Sequence, residues 1–403
     1  MIQRVFLLLV SLSAAADWQE FRGPNGRGHV DGAIATSWSE TENISWKVPI
    51  PGLGWSSPVT RDGRIYLSTA VAGERKGESG HVLRVLCLRA KDGKTVWNIE
   101  AFWQPEDDRV QVHSKNSHAS PTPVLEGDRL YVHFGPHGTA CLDLAGKVLW
   151  RNRGLRYQPT HGNGGSPAIA GKVLIICCDG QDEQFVVGLD KTTGKQIWRS
   201  EREAEVSRGF SFCTPTIIRH EGRAQAICPG SGAVVSYAPA TGKKLWDVGY
   251  GEGYSVVPRP QFAHGLLFVC SGFGDNQLLA IDPRGKVKWR TKKMVPKSPT
   301  PIIVDDALYM VSDSGIATCL DARTGKKRWQ ERLGGKFSAS PITAGGHIYF
   351  LSESGNTTVI KAGPSYKEVA RNSIDARDRT FATLTPADGG LLLRSETDLY
   401  RID

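Results

Sequence analysis

The chain has 403 residues, of which 45 are glycine and 22 are proline, and 40% are hydrophobic. This composition is typical of a globular protein with a sizeable core and excludes a fibrous or low-complexity chain. The formal net charge is +9, but the lysines and arginines are scattered and no basic helix or aromatic nucleic-acid signature is present, so we expect no nucleic-acid partner.

The first sixteen residues have the pattern of a secretory signal peptide. Arg4 precedes an apolar run over 5–10, and three alanines at 14–16 form a small-residue cleavage pattern before Asp17. No other stretch is long enough to span a membrane. A lipoprotein is disfavoured because no cysteine lies at or near the cleavage point. We therefore expect an exported monomer, periplasmic or extracellular, that begins with an N-terminal extension over residues 17–42.

A short motif recurs along the rest of the chain. The strings GLDKTTGKQIW (188–198), SYAPATGKKLW (236–246) and CLDARTGKKRW (319–329) each place Gly-Lys shortly before a tryptophan. A spacing of about 40 to 50 residues is typical of propeller blades or solenoid repeats. The indole is predicted to be structural, with its N–H bonded to a backbone carbonyl of the neighbouring blade. The common register is marked by Trp46, Trp97, Trp150, Trp198, Trp246, Trp289 and Trp329.

Prolines keep step with these tryptophans. Between each proline and the next tryptophan the sequence reads as short β-rich segments separated by Asp, Gly and Asn turns, which gives four strands per unit. Because proline is confined to strand starts and edges, the prolines indicate an inner strand beside a central channel, as in a radial propeller. The markers are Pro58, Pro121, Pro167, Pro215, Pro258, Pro299 and Pro341, and the small neighbours that suit a crowded axis are Ser57, Ser120, Ser166, Ser298 and Ser340.

The repeat arithmetic predicts eight blades. Seven units end at the six tryptophans after Trp46 and at Val369, which stands in the last place of a degenerate motif. The tail over 381–402 holds three strands, and NISWKVPI at 43–50 supplies a fourth. Pairing both ends of the chain in one blade removes an open sheet edge. We predict an all-β, eight-bladed propeller of four-stranded antiparallel blades over residues 43–403.

The motif resembles the tryptophan-docking repeat of quinoprotein dehydrogenases. The opening DWQEFRGPNGRG, followed by WSETENISWKVPIPGLGWSSP, is similar to the secreted bacterial PQQ-binding-like β-propeller repeat proteins. The resemblance covers nearly the whole chain after the leader and implies the propeller fold. Members of this superfamily include dehydrogenases and the propeller lipoprotein of the outer-membrane barrel assembly machinery, so the resemblance leaves the function open.

One cysteine pair bears on the dehydrogenase alternative. The resemblance implies an adjacent pair oxidised to a strained ring beside the cofactor, in a loop that enters an inner strand and is followed by Asn-Arg-Gly. Here Cys177 and Cys178 end a predicted second strand, KVLIICC, and DGQDE follows. Neighbouring side chains in a strand point to opposite faces, so we expect separate, buried thiols. The other six cysteines are also predicted to be mostly free, although disulfides remain an alternative.

The loops that lead into the inner strands of blades two, three and four are the long ones. Long loops on a rigid scaffold are where binding residues concentrate. The candidate ligand-binding residues there are His113, Lys115, Asn116, His118, Tyr157, His161, Asn163, Arg208, Phe210 and Phe212. A metal held by His113, His118 and His161 is a minority alternative, because their spacing matches no known ligand motif.

Two cations depart from the repeat near the predicted channel. Arg259 follows Pro258 where other blades mostly have Thr, Ala or Val, and Lys297 precedes Ser298. Either side chain suits an anionic group such as a carboxylate or phosphate, and a structural salt bridge explains them equally well.

Three classes of function compete on these grounds. A PQQ-dependent dehydrogenase needs a bound quinone, a calcium ion held by oxygen ligands and a general base, and no motif supplies them. A hydrolase needs a nucleophile with a base, which the spacing does not reveal. A binding propeller needs nothing that the sequence lacks. We therefore predict a non-catalytic propeller without cofactor or metal, which holds a protein, peptide or envelope glycan through its top-face loops.

Overall fold

The computed structural model describes residues 17–106, 111–374 and 379–403. The predicted signal peptide and residues 107–110 of the loop into blade two lie outside the described residues. Regular structure in the described part is almost entirely β, with two short 3-10 turns at Pro24–Gly26 and Gly135–His137. No helix in that part has the length and apolar character that crossing a bilayer requires.

The strands form eight sheets, each with four antiparallel strands in radial order from the channel outward. Blade one is Val59–Arg61, Arg64–Arg75, Glu78–Arg89 and Thr95–Pro105. Blade two is Val124–Glu126, Arg129–His133, Thr139–Asp143 and Val148–Asn152. Blade three is Ala168–Ala170, Val173–Asp179, Gln184–Asp190 and Gln196–Glu201. Blade four is Thr216–His220, Arg223–Pro229, Ala233–Tyr237 and Lys244–Gly249.

The second half of the propeller repeats this order with shorter strands. Blade five is Gln261–Ala263, Leu266–Cys270, Leu278–Ile281 and Val287–Thr291. Blade six is Ile302–Val304, Ala307–Val311, Ile316–Asp321 and Lys327–Arg332. Blade seven is Ile342–Ala344, His347–Leu351, Thr357–Lys361 and Glu368–Asn372. Blade eight is Thr385–Ala387, Gly390–Arg394, Asp398–Ile402 and, from the other end of the chain, Ile44–Pro49.

Blade eight closes the propeller with strands from both ends of the chain, so the predicted closure is confirmed. Ile44–Pro49 pairs antiparallel with Asp398–Ile402, with Trp46 opposite Arg401. Ile44–Pro49 is thus the outer strand of this blade, and it covers the edge of Asp398–Ile402 that would otherwise be unpaired. The predicted all-β fold with eight four-stranded blades is also confirmed.

The tryptophans join each blade to the next. Each indole N–H donates to a backbone carbonyl of the following blade, over 2.9 to 3.3 Å. Gly242 explains the glycine of the motif: its φ is +72°, and an added Cβ would lie 2.5 Å from the Trp198 ring. The donor and acceptor pairs are Trp46 and Ala90, Trp97 and Leu144, Trp150 and Lys191, Trp198 and Pro239, Trp246 and Pro283, Trp289 and Ala322, and Trp329 and Gly363.

In blade seven the predicted motif position was wrong by one residue. The tryptophan of other blades stands opposite a third-strand residue, as Trp329 does opposite Cys319. The residue in that place in blade seven is Ala370, opposite Val359, whereas Val369 lies at the bulge and is exposed. The prediction counted 40 residues from Trp329, which is the spacing between Trp289 and Trp329, whereas Ala370 lies 41 residues beyond Trp329.

The N-terminal residues form a strap, residues 17–30, across one end of the channel. Trp18 exchanges backbone hydrogen bonds with Thr60 of blade one, and Gln19 accepts one from Leu125 of blade two. His29–Val30 pairs in parallel with the inner strand of blade seven. These partners lie in the inner strands, whereas the long loops precede those strands. The strap and the long loops are therefore at opposite ends of the channel.

Two buried arginines fasten the strap. Arg22 is fully buried and donates to the carbonyls of Pro341 (2.7 Å) and Pro301 (3.3 Å). Burial, together with the charge of Arg259, lowers the pKa of Arg22 to about 9. Arg259 forms an ion pair with Glu20 (2.7 Å) and donates to the carbonyl of Phe21 (2.6 Å). The strap thus contacts inner strands on both sides of the channel and closes its lower end.

Candidate functional site

The other end of the channel opens into a cavity of about 500 Å³ between the loops that lead into the inner strands. We call it the top-face cavity. Its floor includes Phe21 of the strap. Because the strap closes the channel below, the cavity is open on one side only. The walls come from the loops before the inner strands of several blades, which is the region that the sequence predicts for binding.

A ring of hydroxyl groups surrounds the channel beneath the cavity, with one hydroxyl in every blade except blade five. In this hydroxyl ring, a backbone N–H of one blade donates to the hydroxyl of the next, as Ser166 does to Thr214 over 3.0 Å. Blade five has Arg259 in this place, and its N–H donates to Thr300. The members of the hydroxyl ring are Ser57, Thr122, Ser166, Thr214, Thr300, Ser340 and Thr383.

The positions of these hydroxyls refine the proline marker. In blades two and six the ring residues are Thr122 and Thr300, two residues beyond the predicted axis residues Ser120 and Ser298. Both strings read Ser-Pro-Thr-Pro, so each offers two proline steps. Side chains two residues apart in an extended chain share a face, and the sequence alone did not distinguish the two serines from the two threonines.

Most of the predicted ligand-binding residues surround the cavity. The lining residues among them are His113, Lys115, Asn116, His161, Arg208, Phe210, Phe212 and Lys297. The other four, His118, Tyr157, Asn163 and Arg259, lie elsewhere. The His118 ring packs on that of His81 with 4.2 Å between centroids, and Asn163 accepts a hydrogen bond from the hydroxyl of Tyr157. Arg259 is held by the strap.

The loops into blades two and three support each other. Val112 forms a parallel bridge with His161, and the His161 carbonyl accepts hydrogen bonds from the His113 backbone (3.3 Å) and the Asn116 side chain (2.9 Å). The His113 and His161 rings are edge to face, 5.1 Å apart. Desolvation, with a contribution from the charge of His113, lowers the pKa of His161. The imidazole of His161 therefore tends to be neutral at the cavity wall.

Aromatic rings form much of the wall, and the sequence reasoning missed most of them. Phe210 contacts Tyr254 at 5.6 Å, and Tyr254 contacts Phe273 at 6.3 Å between centroids. On the other side Trp55 and Phe381 are 4.7 Å apart. These residues come from different blades and share no motif spacing. Trp55, Tyr254 and Phe381 stand in loops before inner strands, whereas Phe273 lies between the second and third strands of blade five.

Cations stack on these rings. The Arg208 guanidinium lies 4.8 Å from the Tyr254 ring centre and donates to its hydroxyl (2.6 Å), and Lys297 Nζ lies 4.8 Å from the Phe273 ring centre. Arg379 lies 5.4 Å from the Phe381 ring centre. Cation–π contacts of this kind contribute about 0.5–1 kcal/mol at exposed sites. They also hold the positive charges at the wall of the cavity.

The acidic groups near the cavity already have donors. Asp313 accepts hydrogen bonds from the Lys297 backbone (2.7 Å) and from the Ser298 hydroxyl (2.8 Å). Glu353 forms an ion pair with Lys115 (2.7 Å). By contrast, neither Arg208 nor Lys297 forms an ion pair with a carboxylate of the described residues. The described residues that line the cavity therefore carry an excess of positive charge.

The residues present do not fit a quinone held with calcium. Calcium requires six to eight oxygen ligands. Asp313 is the one carboxylate among the described lining residues, and its oxygens are occupied as above. No group of three or more His, Cys, Asp or Glu side chains in the described part of the chain has the arrangement of a metal site.

The adjacent cysteines point to opposite faces of their strand, as the strand alternation predicts. Cys178 packs with Tyr157 and Phe185, whereas Cys177 packs with Cys228 and Val235 of the next blade. Both are free thiols, and so are the other six cysteines, which are all buried. Burial raises the pKa of Cys178 well above its ordinary value. Neither sulfur lies in the lining of the top-face cavity.

Comparison with known proteins identifies relatives of two kinds. The family described as "Outer membrane protein assembly factor BamB" matches residues 30–176, 81–253 and 182–396. Outer membrane protein assembly factor BamB of Burkholderia pseudomallei (strain K96243) is 24% identical over 263 residues, which are 60% of this chain and 64% of that one. The chain thus spans less than two thirds of the length of this curated relative.

Two solved structures share the propeller fold. BamB from Moraxella catarrhalis has a TM-score of 0.64 at 15% identity, with 89% of this chain and 96% of that chain covered. Quinohemoprotein alcohol dehydrogenase from Comamonas testosteroni has a TM-score of 0.70 at 13% identity, with 96% of this chain and 81% of that chain covered. At these identities the likeness shows the fold alone, and a binding protein and an enzyme fit it equally.

Proposed function

Because this chain belongs to the family described as outer membrane protein assembly factor BamB, we propose that it is an exported, non-catalytic propeller that holds a segment of another protein in its top-face cavity. The cavity itself is the observation that best supports this proposal. It is blind, it is built on a rigid scaffold, and aromatic rings and cations line it. Aromatic and arginine side chains in a desolvated pocket are the groups that dominate binding energy at protein interfaces.

The chemistry of the lining supports binding rather than turnover. Ser120, a hydroxyl of the blade-two loop that lines the cavity, donates to the Asn116 side chain rather than to a histidine. His113 and His161 contact each other and the chain backbone. A nucleophile paired with a base, which acyl transfer or hydrolysis requires, is not formed by the described lining residues.

The alternative is a PQQ-dependent dehydrogenase, which the likeness to the Comamonas testosteroni enzyme favours at the level of the fold. The weakness of this alternative is the shortage of oxygen ligands for calcium. The described lining offers one carboxylate, already bonded to two donors, for a calcium ion that needs several oxygen ligands. A protein ligand needs no such group. We therefore keep the binding function as the proposal.

Site-specific photocrosslinking tests the proposal. Benzoylphenylalanine is introduced in place of Phe273, which lines the cavity, and separately in place of Leu245, an exposed residue of the outer strand of blade four. Both proteins are irradiated with envelope extract, and crosslinked products are identified by mass spectrometry. We expect one protein segment to crosslink at position 273 and not at 245. Crosslinks at 245 alone, or at neither position, would contradict a protein ligand in the cavity.

A further inference from the structure

We propose that the top-face cavity recognises a carboxylate carried by that protein segment, which seats over the hydroxyl ring while the neighbouring apolar groups lie against the aromatic wall. This inference rests on the proposed function and adds the chemistry of the ligand. Three features carry it: the unused protons of the hydroxyl ring, the unpaired cations, and the closed floor.

The hydroxyl ring presents donors to the cavity. Thr214 Oγ1 accepts the N–H of Ser166, and Thr122 Oγ1 accepts that of Ser57, both over 3.0 Å. A hydroxyl has a single proton to donate, and no acceptor for the proton of these ring hydroxyls lies among the described residues. A hydroxyl that already accepts a hydrogen bond is a stronger donor, because bonds in a chain polarise one another. The ring members that line the cavity are Ser57, Thr122, Ser166, Thr214, Ser340 and Thr383.

These donors are deeply placed. Ser57 is 2% exposed and Thr214 is 3% exposed. A ligand acceptor that displaces water from these donors forms stronger, charge-assisted hydrogen bonds when it is ionised. A carboxylate accepts from several of these hydroxyls at once, whereas an ammonium group would use the one lone pair left on each oxygen and leave the hydroxyl protons without an acceptor. The ring therefore selects against a cation and in favour of an anion.

The cations at the wall also favour an anionic ligand. Arg208 and Lys297 have no carboxylate partner among the described residues and are held on aromatic rings beside the opening. Arg208 is exposed to solvent, so its attraction acts on an anion that enters the cavity and weakens as salt rises. The rings under them, Tyr254 and Phe273, offer apolar surface to the groups next to the carboxylate. An acidic residue flanked by aromatic or aliphatic residues matches both features.

Two blocked pentapeptides test the chemistry directly. Peptide AFDFA, acetylated and amidated, carries one carboxylate, and AFNFA is its neutral isostere. By titration calorimetry we expect AFDFA to bind about tenfold more tightly, the size of one charge-assisted hydrogen bond, with an affinity that falls as salt rises. Equal affinity of the two peptides, or binding of neither, would overturn the inference.

The chain offers a matched pair of variants. Thr214→Val and Thr300→Val each remove one hydroxyl of the ring and one bond between blades, but Thr300 does not line the cavity. We expect Thr214→Val to weaken AFDFA about tenfold and leave AFNFA unchanged, with no effect of Thr300→Val. Equal effects of both variants would mean that the ring acts through the fold alone. Urea unfolding of the two proteins checks that their stabilities are similar.

A second pair of variants avoids the interior. Lys297→Met removes a cation of the cavity wall, and Lys293→Met removes an exposed lysine of the same loop outside the described lining. Only the former is expected to weaken AFDFA. An amidated AFNFA and one with a free chain end separate the two sources of a carboxylate, the side chain and the terminus. If AFDFA binds as expected but nothing crosslinks at position 273, the proposed function fails while the anion preference stands.

Discussion

The buried His133 predicts a loss of stability in acid that one substitution isolates. His133 ends the second strand of blade two, and its Nδ1 lies 2.8 Å from the Thr139 hydroxyl. Burial, with a contribution from the charge of His137, lowers the pKa of His133 from 6.5 to about 3. The unfolded chain therefore binds this proton more readily than the folded protein. The stabilisation from the neutral ring is fully present above pH 6.5 and is lost as the pH falls toward 3.

The magnitude follows from the two pKa values of His133. With 6.5 in the unfolded chain and about 3 in the folded protein, linkage gives a loss of about 2 kcal/mol between pH 7 and pH 5. His133→Gln removes the titrating ring and retains a polar group near Thr139. Urea unfolding at both pH values should show the native protein losing about 2 kcal/mol more than the variant. The other shifted histidines are present in both proteins, so their contributions cancel.

An equal pH dependence of the two proteins would refute the assignment of a neutral, buried imidazole. A variant that is unstable at both pH values leaves the comparison of slopes intact, because the prediction concerns the change between the two pH values. A steeper slope in the variant would give the opposite sign and would also refute it.

Three further predictions concern the tryptophans of the repeat, the strap and the cofactor. Trp198→Ala should lower the free energy of unfolding in urea by about 3 to 5 kcal/mol, and Trp246→Ala should lower it less, because Trp198 is 7% exposed and Trp246 is only partly buried. Unchanged stability of both variants would contradict a structural role. Arg259→Thr should lower the free energy of unfolding by about 2 to 3 kcal/mol, less than the loss of a fully buried ion pair because Glu20 is 22% exposed. It should also speed proteolysis within residues 17–30. Proteolysis of the strap at an unchanged rate would contradict its anchoring by Arg259. Titration with PQQ and calcium, followed by absorbance and dye-linked alcohol oxidation, should give neither stoichiometric binding nor turnover, and turnover would establish the dehydrogenase instead.

The blades could be predicted from the sequence because the same packing problem is solved eight times. Seven blades have a tryptophan in the outer strand, and in six of them a glycine stands four residues before it, as Gly194 does before Trp198. The same spacing predicted the pairing of 43–50 with the last strand. It failed at Val369 because blade seven has no tryptophan to fix the register, and the equivalent residue, Ala370, lies one residue further along the chain than the spacing of the preceding unit predicts.

The site was predictable in its location and not in its composition. Loop length directed attention to His113 and His161, and both line the cavity. The aromatic wall was missed because Phe273 and Phe381 come from loops of ordinary length, and only the closed propeller brings them near the channel. The structural salt bridge considered for Arg259 is present, but its partner could not be identified from the sequence because Glu20 is 239 residues away in the chain.

Arg259 links the hydroxyl ring and the strap. In blade five the ring has no hydroxyl, because the side chain at this place reaches down to Glu20 and Phe21 instead of facing the channel. With a hydroxyl at this place and no strap, the channel would be open at both ends, and water from below would satisfy the ring donors. The strap that Arg259 holds brings Phe21 to the floor of the cavity. The ring donors then have only the top-face cavity from which to obtain an acceptor. The one interruption of the ring is thus the residue that holds the strap below the cavity.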